Sequence, residues 1–473
     1  MIRQTCILSA AATIFPMMAS LAVAEPAIQQ NELVPASAAL GDLFGASVSV
    51  DGTTGIVGAF GVDEAGSIAG AAYLVDLATG EELMRFLPEP GSDFFRFGNS
   101  VSISGGMALV GAPGDDSISV NNGSAYLFDV NTGELIRKLV NPNPPIGGVI
   151  LGEAFGAAVA LRGNLALIGA PDTNVHSISS ASQENEEQRV GSAYLFDVES
   201  GELLYSYDSL DVANDSFAIS VALSDSHAII GSLGSNIAGP GFTVGYALVI
   251  DLKSGEVTHT LNPPNDSRNF GISVAISGSI GIIGQTPSDF FDTRRAYIYD
   301  LETGENLFVL EPDPPAIARE FGRSVALCDS YAIVGDPGDR AYGFNSGAVY
   351  IFSTSTGEQL AALRPDNPQA SSRFGYAVSA SEDFAVLSAP THLVEPSNNG
   401  GETASTGLVY IYTPTCPGDC NSDAAVAFSD LITMLARFGT PATQGCDTDG
   451  NELIDFNDLV LALFRFGDCE QEK

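Results

Sequence analysis

The chain has 473 residues, of which 45% are hydrophobic and only 16% charged, and it contains 51 glycines. This composition is typical of a large, turn-rich β protein with more material than one small domain needs. The 58 acidic against 19 basic side chains give a net charge of −39. Nucleic acid and anionic membrane surfaces are therefore disfavoured as partners, because both would repel the chain at long range. Calcium is compatible with this charge, but surplus carboxylates more often serve solubility.

The first 24 residues have the form of a secretory signal peptide. Arg3 precedes an apolar run from Cys6 to Leu21, and Ala22-Val23-Ala24 supplies the small residues of a cleavage site. Cys6 stands at the start of the apolar run, whereas a lipoprotein cysteine would have to follow it, so a lipid anchor is disfavoured. No later apolar stretch is long enough to span a bilayer. We therefore predict a secreted, soluble mature protein in the periplasm, at the cell surface or outside the cell.

Seven related phrases recur along the chain, each starting with phenylalanine and usually continuing with glycine. Their phenylalanines lie 51 to 62 residues apart, at Phe44, Phe97, Phe155, Phe217, Phe270, Phe321 and Phe374. Each unit contains four short runs with strand character and no amphipathic helix. Repeats of this length are typical of four-stranded blades. The pattern predicts an all-β fold, a seven-bladed β-propeller over residues 25–413.

A second phrase, Thr or Ser followed by Gly-Glu, lies between the third and fourth strands of six units. Its glycine supplies the positive φ of a tight hairpin turn, at Gly80, Gly133, Gly201, Gly255, Gly304 and Gly357. The seventh unit ends its third strand at residues 410–412 and runs into Pro414, so it lacks a fourth strand. We expect Glu32–Pro35 to supply that strand, because closing the ring removes an exposed sheet edge.

The units resemble FG-GAP repeats, which build the propeller of integrin α-subunits. The resemblance covers residues 44–412 and rests on the Phe-Gly phrases and on Gly-Ala-Pro at 111–113 and 169–171, with looser forms at 58–60, 335–337 and 388–390. In calcium-binding members an acidic DxDxDG loop joins the first two strands. Here those joins are short, as in Ser104-Gly105-Gly106 and Arg162-Gly163-Asn164. The resemblance is therefore to the calcium-free variety of the repeat, common in bacterial exported proteins.

Alternating strand directions sort the loops onto two faces. The second-to-third and blade-to-blade joins share one face, which we call the long-loop face, and we expect binding there; its longest segments are Asp115–Asn122, Asp172–Val190, Ser288–Arg295, Asp336–Asn345 and Thr391–Thr406. Aromatic residues lie near arginines at 94–96 and 290–295, and 342–344 adds two more. They either bind a partner or anchor loops between blades. The insert 172–190, rich in Ser, Glu and Gln, favours a mobile loop over a recognition element.

No catalytic constellation stands out in the sequence. The four histidines fall in four different units, so no metal cluster and no nucleophile–histidine pair is indicated; they are His176, His227, His259 and His392. The Asp-x-x-Thr-Gly-Glu stretch resembles a blade phrase of quinone-dependent propeller dehydrogenases. Two features argue against such a dehydrogenase: there are seven units rather than eight, and the chain has no tryptophan. Sialidase aspartate boxes are excluded as well, because they require tryptophan. We predict that the protein is not an enzyme.

A second duplication follows Pro414, with its two copies offset by 28 residues. Side-chain oxygens at loop positions one, three, five and twelve, with a backbone carbonyl at seven, are the ligands of a helix-flanked calcium loop. The predicted ligands are Asp419, Asn421, Asp423, Ala425 and Asp430 in the first loop, and Asp447, Asp449, Asn451, Leu453, Asp455 and Asp458 in the second. We predict two Ca²⁺ ions, with tighter binding in the second loop, because it has four carboxylates against three.

Aspartate at position twelve, a helical pattern after each loop and the close duplication resemble a type I dockerin over residues 416–469. The resemblance implies a cohesin-like protein partner for residues 414–473. Two features depart from it: Ala424 and Glu452 replace the glycine at position six, and four cysteines are added, namely Cys416, Cys420, Cys446 and Cys469. In so short an exported segment these cysteines indicate disulfides; zinc is the weaker alternative, because CxxC pairs are missing. A calcium-stabilised tail without a cohesin partner is also open.

Two functions stay open at this stage. In the first, the propeller is a binding or adhesion module for a protein or glycan, and the tail docks it to a cell-surface or extracellular assembly. In the second, implied by the dockerin resemblance alone, the chain is an accessory component or hydrolase of an extracellular polysaccharide-degrading system. The sequence names no ligand for either.

Overall fold

The structure is a computed structural model, and it describes residues 28–35, 37, 39–117, 122–143, 154–171, 191–209, 216–234, 244–264, 269–286, 294–313, 319–328, 331–365, 367–381, 384–394 and 404–414. All of these residues belong to one compact unit, Ile28–Pro414. The predicted signal peptide and the predicted calcium loops lie outside the described residues. Within the described ranges there is no helix, and hence none that could cross a membrane.

Seven four-stranded antiparallel sheets form the described chain, which confirms the predicted all-β, seven-bladed propeller. The first strand, β1 (Ile28–Leu33), belongs to the last blade. Blades one to three contain β2 (Ser47–Asp51), β3 (Thr54–Ala59), β4 (Ala71–Asp76) and β5 (Glu82–Phe86); β6 (Ser100–Ser104), β7 (Met107–Ala112), β8 (Ser124–Asp129) and β9 (Leu135–Val140); and β10 (Ala158–Arg162), β11 (Leu165–Ala170), β12 (Ser192–Asp197) and β13 (Leu203–Asp208).

The next three blades repeat this order, from the inner strand to the outer one. They contain β14 (Ser220–Leu223), β15 (His227–Ser232), β16 (Tyr246–Asp251) and β17 (Glu256–Leu261); β18 (Phe270–Ser277), β19 (Ile280–Gln285), β20 (Arg295–Asp300) and β21 (Asn306–Leu310); and β22 (Ser324–Leu327), β23 (Tyr331–Asp336), β24 (Ala348–Ser353) and β25 (Gln359–Leu363).

The seventh blade is completed by the N-terminus. It contains β26 (Val378–Ala380), β27 (Ala385–Ala389) and β30 (Leu408–Pro414), with the short hairpin β28 (Leu393–Val394) and β29 (Ala404–Ser405) in one of its loops. Its outer strand is β1, which runs antiparallel to β30 and places Leu33 opposite Val409. This strand starts and ends earlier than the expected Glu32–Pro35. Pro35 has no amide hydrogen for a ladder, and the pairing ends before it.

The hydrophobic core lies between neighbouring blades. The middle strands are buried almost throughout, as in β8, whereas the outer strands such as β9 are largely exposed near their start. Each core cluster combines side chains from two adjacent sheets, for example Leu74 and Phe86 of blade one with Val110 and Phe128 of blade two. Because both faces of a middle strand are covered by other blades, its sequence is a continuous apolar run instead of an alternating one.

The phenylalanine of each repeat packs on a tyrosine in the third strand of the same blade. All seven phenylalanines are buried, and the ring centroids of the pairs lie 5.1 to 6.1 Å apart. The partners are Tyr73, Tyr126, Tyr194, Tyr246, Tyr297, Tyr350 and Tyr410. The sequence analysis did not single out this tyrosine, although it recurs in every unit.

A serine hydroxyl joins most neighbouring blades. The Oγ of Ser100, at the start of the inner strand, donates to the carbonyl oxygen of Gly156 in the next blade at 2.8 Å. Equivalent bonds start from Ser47, Ser220, Ser273 and Ser324. Blades three and seven have Ala158 and Ala377 at this position, so the contacts from blade three to four and from blade seven to one lack that bond.

The predicted Thr/Ser-Gly-Glu turns have the expected geometry. Their six glycines have φ between 72° and 78°. The outer strand of the preceding blade packs a side chain over most of them; Tyr205, for example, lies against Gly255 and Phe308 against Gly357. Among the described residues, no atom lies within 4 Å of where a Cβ of Gly80 would stand. The described part of the seam between blade seven and blade one therefore lacks this contact as well.

Candidate functional site

Loop lengths divide the two faces of the propeller as the sequence predicts. First-to-second joins are short, such as the two residues between β6 and β7. Second-to-third joins are all longer, such as 113–123 between β7 and β8 and 337–347 between β23 and β24. The long-loop face therefore carries the variable segments on a rigid set of strands, which is the usual arrangement for a binding surface.

An aromatic patch lies on this face at blades six and seven. We define it as Tyr342, Phe344 and Leu393, whose side chains are 59%, 58% and 40% exposed. The guanidinium carbon of Arg340 stands 4.6 Å from the centroid of the Phe344 ring. Gln369, in the segment between blades six and seven, exchanges hydrogen bonds of 3.0 and 3.1 Å with the backbone of Leu393. The amide of Ser371 in the same segment donates to the carbonyl of Phe344 at 2.7 Å, so the patch combines two loops that contact one shared segment.

A second feature, the arginine–tyrosine stack, lies beside the patch and consists of Arg323, Tyr376 and Arg373. Both guanidinium carbons are 5.3 Å from the centroid of the Tyr376 ring. Arg373 also forms an ion pair with Glu320 at 2.6 Å. The amide of Arg373 donates to the carbonyl of Asn345 at 3.0 Å, so the stack and the loop that carries Phe344 are in direct backbone contact.

Buried carboxylates hold these loops in place. Asp339 accepts hydrogen bonds from Arg364 at 3.3 Å and from the Tyr350 hydroxyl at 3.2 Å. Asp336 is fully buried and accepts the amides of Arg319 and Glu320 at 2.9 and 2.7 Å. Asp336 thus links the segment before blade six to the start of the loop that carries the patch. Buried hydrogen bonds therefore hold this loop in one position.

Burial makes Asp336 a source of pH-dependent stability. Loss of solvation, reinforced by the charge of Asp339 and opposed by the backbone amides, raises its pKa from 3.8 to about 7. Between these values the carboxyl ionises in the unfolded chain but stays protonated in the folded one, so stability is lost as the pH rises through this window. We expect the melting temperature of Asp336→Asn, relative to wild type, to rise by several degrees between pH 4 and pH 7.

Asp115 provides a control of opposite sign for this prediction. Burial opposes its ionisation, but hydrogen bonds from Lys138 and Tyr126 outweigh this effect and hold its pKa below the usual value. The stabilisation by ionised Asp115 is therefore present above the unfolded pKa and lost as the pH falls. The melting temperature of Asp115→Asn, lower than that of wild type near neutral pH, should approach it in acid. A constant difference between Asp336→Asn and wild type over this range would contradict the raised pKa.

Comparison with known families explains the repeat unit. A model of the FG-GAP repeat matches residues 28–75, 81–128 and 316–352. The propeller carries FG-GAP repeats. The first FG-GAP match begins with β1 and ends in β4, and the second begins at the start of β5 and ends in β8. The repeat unit thus includes the outer strand of one blade and three strands of the next, which makes β1 part of an FG-GAP unit. A comparison with curated proteins finds no match.

The structure describes only part of the residues that sequence analysis singled out. In the FG-GAP propeller Phe94 is 57% exposed, so it does not anchor a loop between blades, while Phe95 is half-buried. The pair Phe290-Phe291 and the insert 172–190 lie outside the described residues, as do all predicted calcium ligands and their four cysteines. In the described ranges, no group of three or more His, Cys, Asp or Glu side chains is placed to hold a metal ion.

Sequence reasoning missed the arginine–tyrosine stack. Arg323 and Tyr376 follow a Phe-Gly pair, at a position where the other repeat units have Ala46, Asn99, Ala157, Ile219 and Ile272. This position faces its counterpart in the next blade, since the Asn99 side chain donates to the carbonyl of Ala157 at 3.1 Å. The signal was a charged and an aromatic residue at a position that is small, amide or aliphatic elsewhere.

Proposed function

We propose that the chain is an exported, non-catalytic binding protein and that the long-loop face of blades six and seven binds a protein or glycan partner. The main support is the aromatic patch. Tyr342 and Phe344 are both more than half exposed, and large apolar side chains grouped beside arginine are enriched at the centres of interfaces. Buried Asp336 and Asp339 fix the loop beneath them, which lowers the entropy that binding must overcome.

Paired substitutions test this face. We expect Tyr342→Ser with Phe344→Ser to weaken retention of a cell-surface partner by roughly 30-fold or more, the scale of losing an interface hot spot. The matched control is Leu135→Ser, which removes a 50% exposed apolar side chain from an outer strand. Both variants should melt like wild type. Equal retention by all three proteins, measured on extracts of the producing cell's surface, would exclude the patch as the binding site.

In the same proposal, residues 414–473 form a dockerin-like module that binds two Ca²⁺ ions and docks the protein to an extracellular or cell-surface assembly through a cohesin-like partner. The support is the offset duplication of oxygen ligands. Titration of the mature protein with calcium should detect two sites, of which Asp458→Ala removes the tighter and Asp430→Ala the weaker. Absence of calcium binding, or a single site abolished by Asp430→Ala, would contradict the ligand assignment.

The alternative is an accessory component or hydrolase of an extracellular polysaccharide-degrading system. It rests on the dockerin resemblance of the tail and on no side-chain arrangement in the propeller. Release of soluble sugar from any polysaccharide by the purified protein would favour this alternative over a purely binding role. A chelator should leave such turnover unchanged but abolish docking, so the two activities can be separated.

A further inference from the structure

We propose that the arginine–tyrosine stack is a recognition site for a carboxylate presented by a protein partner, next to apolar side chains that cover the aromatic patch. The inference rests on the proposed function and specifies the chemistry of the partner. It assigns to Arg323 the role of binding the carboxylate and to Tyr376 the role of holding the Arg323 guanidinium group in place.

The charge balance at the stack favours an external anion. The chain has 58 acidic side chains for 19 basic ones, so an arginine can readily find an internal carboxylate. Arg295 pairs with Glu311 and Arg364 with Asp339 in the same region. Arg323 forms no ion pair with any described residue and packs instead on an aromatic ring. Of the two guanidinium groups at the stack, that of Arg373 pairs with Glu320.

The geometry suits a carboxylate better than a diffuse negative charge. A guanidinium group that lies over a ring, as Arg323 lies over Tyr376 at 5.3 Å, keeps N–H groups for hydrogen bonds to other partners. These groups can donate two parallel hydrogen bonds to one carboxylate. Packing on Tyr376 limits the rotamers of Arg323 before a ligand arrives, which reduces the entropy lost on binding.

The neighbouring surface points to a protein as the source of the carboxylate. The amides of Ser371 and Arg373 donate to the carbonyls of Phe344 and Asn345 at 2.7 and 3.0 Å, so the stack adjoins the patch. The side chains of Phe344 and Leu393 are apolar throughout, so they present apolar surface to a partner. A segment with an acidic side chain flanked by large apolar ones would pair its charge with Arg323 and bury its apolar groups on the patch.

The repeat itself supplies substitutions that the fold tolerates. Blades four and five have isoleucine at the position of Arg323, namely Ile219 and Ile272. Arg323→Ile should therefore fold, and Arg323→Gln provides a second variant of similar length. Arg323→Lys keeps the charge but loses the planar, two-pronged donor. Arg162, an exposed arginine paired with Asp225, is the last residue of the inner strand of blade three, at the opposite face. Arg162→Gln is the matched control.

The test is a selection of displayed random peptides on the full mature protein. Wild type and Arg162→Gln should select peptides with Asp or Glu beside large apolar residues. Arg323→Ile and Arg323→Gln should bind these peptides about 10- to 100-fold more weakly, the scale of a charge-assisted hydrogen bond to a carboxylate, and Arg323→Lys should fall between. Replacing the peptide's acid with its amide should weaken binding to wild type but not to Arg323→Ile.

Other outcomes separate this inference from the proposed function. Peptides that need Tyr342 and Phe344 but bind Arg323→Ile as tightly as wild type would overturn the carboxylate site and leave the binding face standing. Polygalacturonate that binds in an Arg323-dependent way, with no peptide selected, would overturn the protein source. Failure to select any ligand sensitive to either the stack or the patch would overturn both.

Discussion

Replacing Gly111 with alanine is expected to lower the melting temperature of the propeller by roughly 4 °C, since overpacking against rigid atoms costs about 3 kcal/mol. Gly111 is the last residue but one of β7, the second strand of blade two, and starts its Gly-Ala-Pro phrase. A Cβ there would stand 2.0 Å from the carbonyl oxygen of Gly156 in the next blade and 2.3 Å from the Oγ of Ser100. The nearer obstacle is backbone and belongs to another sheet, so relief requires the two blades to separate. Thermal unfolding followed by circular dichroism measures the effect.

Gly163→Ala separates crowding from backbone strain. Gly163 has φ +53° with nothing within 4 Å of a Cβ, so alanine there meets only the cost of the left-handed conformation, about 1 to 2 kcal/mol. Gly111 does not have a positive φ, so an alanine there is disfavoured only by its contacts with neighbouring atoms. Equal losses for the two variants would show that the contact between blades two and three yields easily and that this account of the glycine is wrong.

Removing the closing strand should have the second large effect. Deletion of residues 25–38 takes away β1, exposes the edge of β30 and empties the site of Leu33, which is buried against Phe44 and Val409. Loss of a buried leucine alone costs about 2 to 5 kcal/mol. We expect the truncated propeller to melt at least several degrees below the intact one, as measured by calorimetry.

The seam that β1 closes lacks two contacts found at most other seams. Ala377 provides no hydroxyl for the bond between blades, and no described side chain covers Gly80. A cavity of about 190 Å³, lined in part by Leu33, Pro35 and Tyr73, lies along the same seam. Ring opening should therefore start between blades seven and one.

Adding the missing strand in trans provides the control for this prediction. A synthetic peptide of residues 25–38 should bind the truncated protein as an added edge strand and raise its melting temperature with peptide concentration. The same peptide should have no effect on the intact chain, whose edge is occupied. A truncated protein that melts like the intact one would mean that β1 contributes nothing to closure.

Local repetition accounts for why so much of the fold could be predicted. Three phrases recur because their positions accept few residue types. Phe-Gly supplies a buried ring, Gly-Ala-Pro lies where two sheets approach closely, and Thr-Gly-Glu forms a turn with positive φ. Because one blade cannot bury its own faces, seven copies of this repeat predict a closed ring. The missing seventh turn likewise predicted an N-terminal outer strand, although not its start at Ile28.

The exposure and the pairing of individual side chains were decided only by tertiary structure. The sequence placed Tyr342 and Phe344 on the long-loop face but left open whether they pack or face solvent, and that depends on how Asp339 and Arg364 hold the loop. Arg323 and Tyr376 are 53 residues apart, and each follows a Phe-Gly pair. The sequence analysis singled out neither. They meet because successive inner strands of the ring place equivalent positions side by side. Periodicity predicts that equivalent residues are neighbours, but only the packed ring brings the Arg323 guanidinium onto the Tyr376 ring without a carboxylate partner among the described residues.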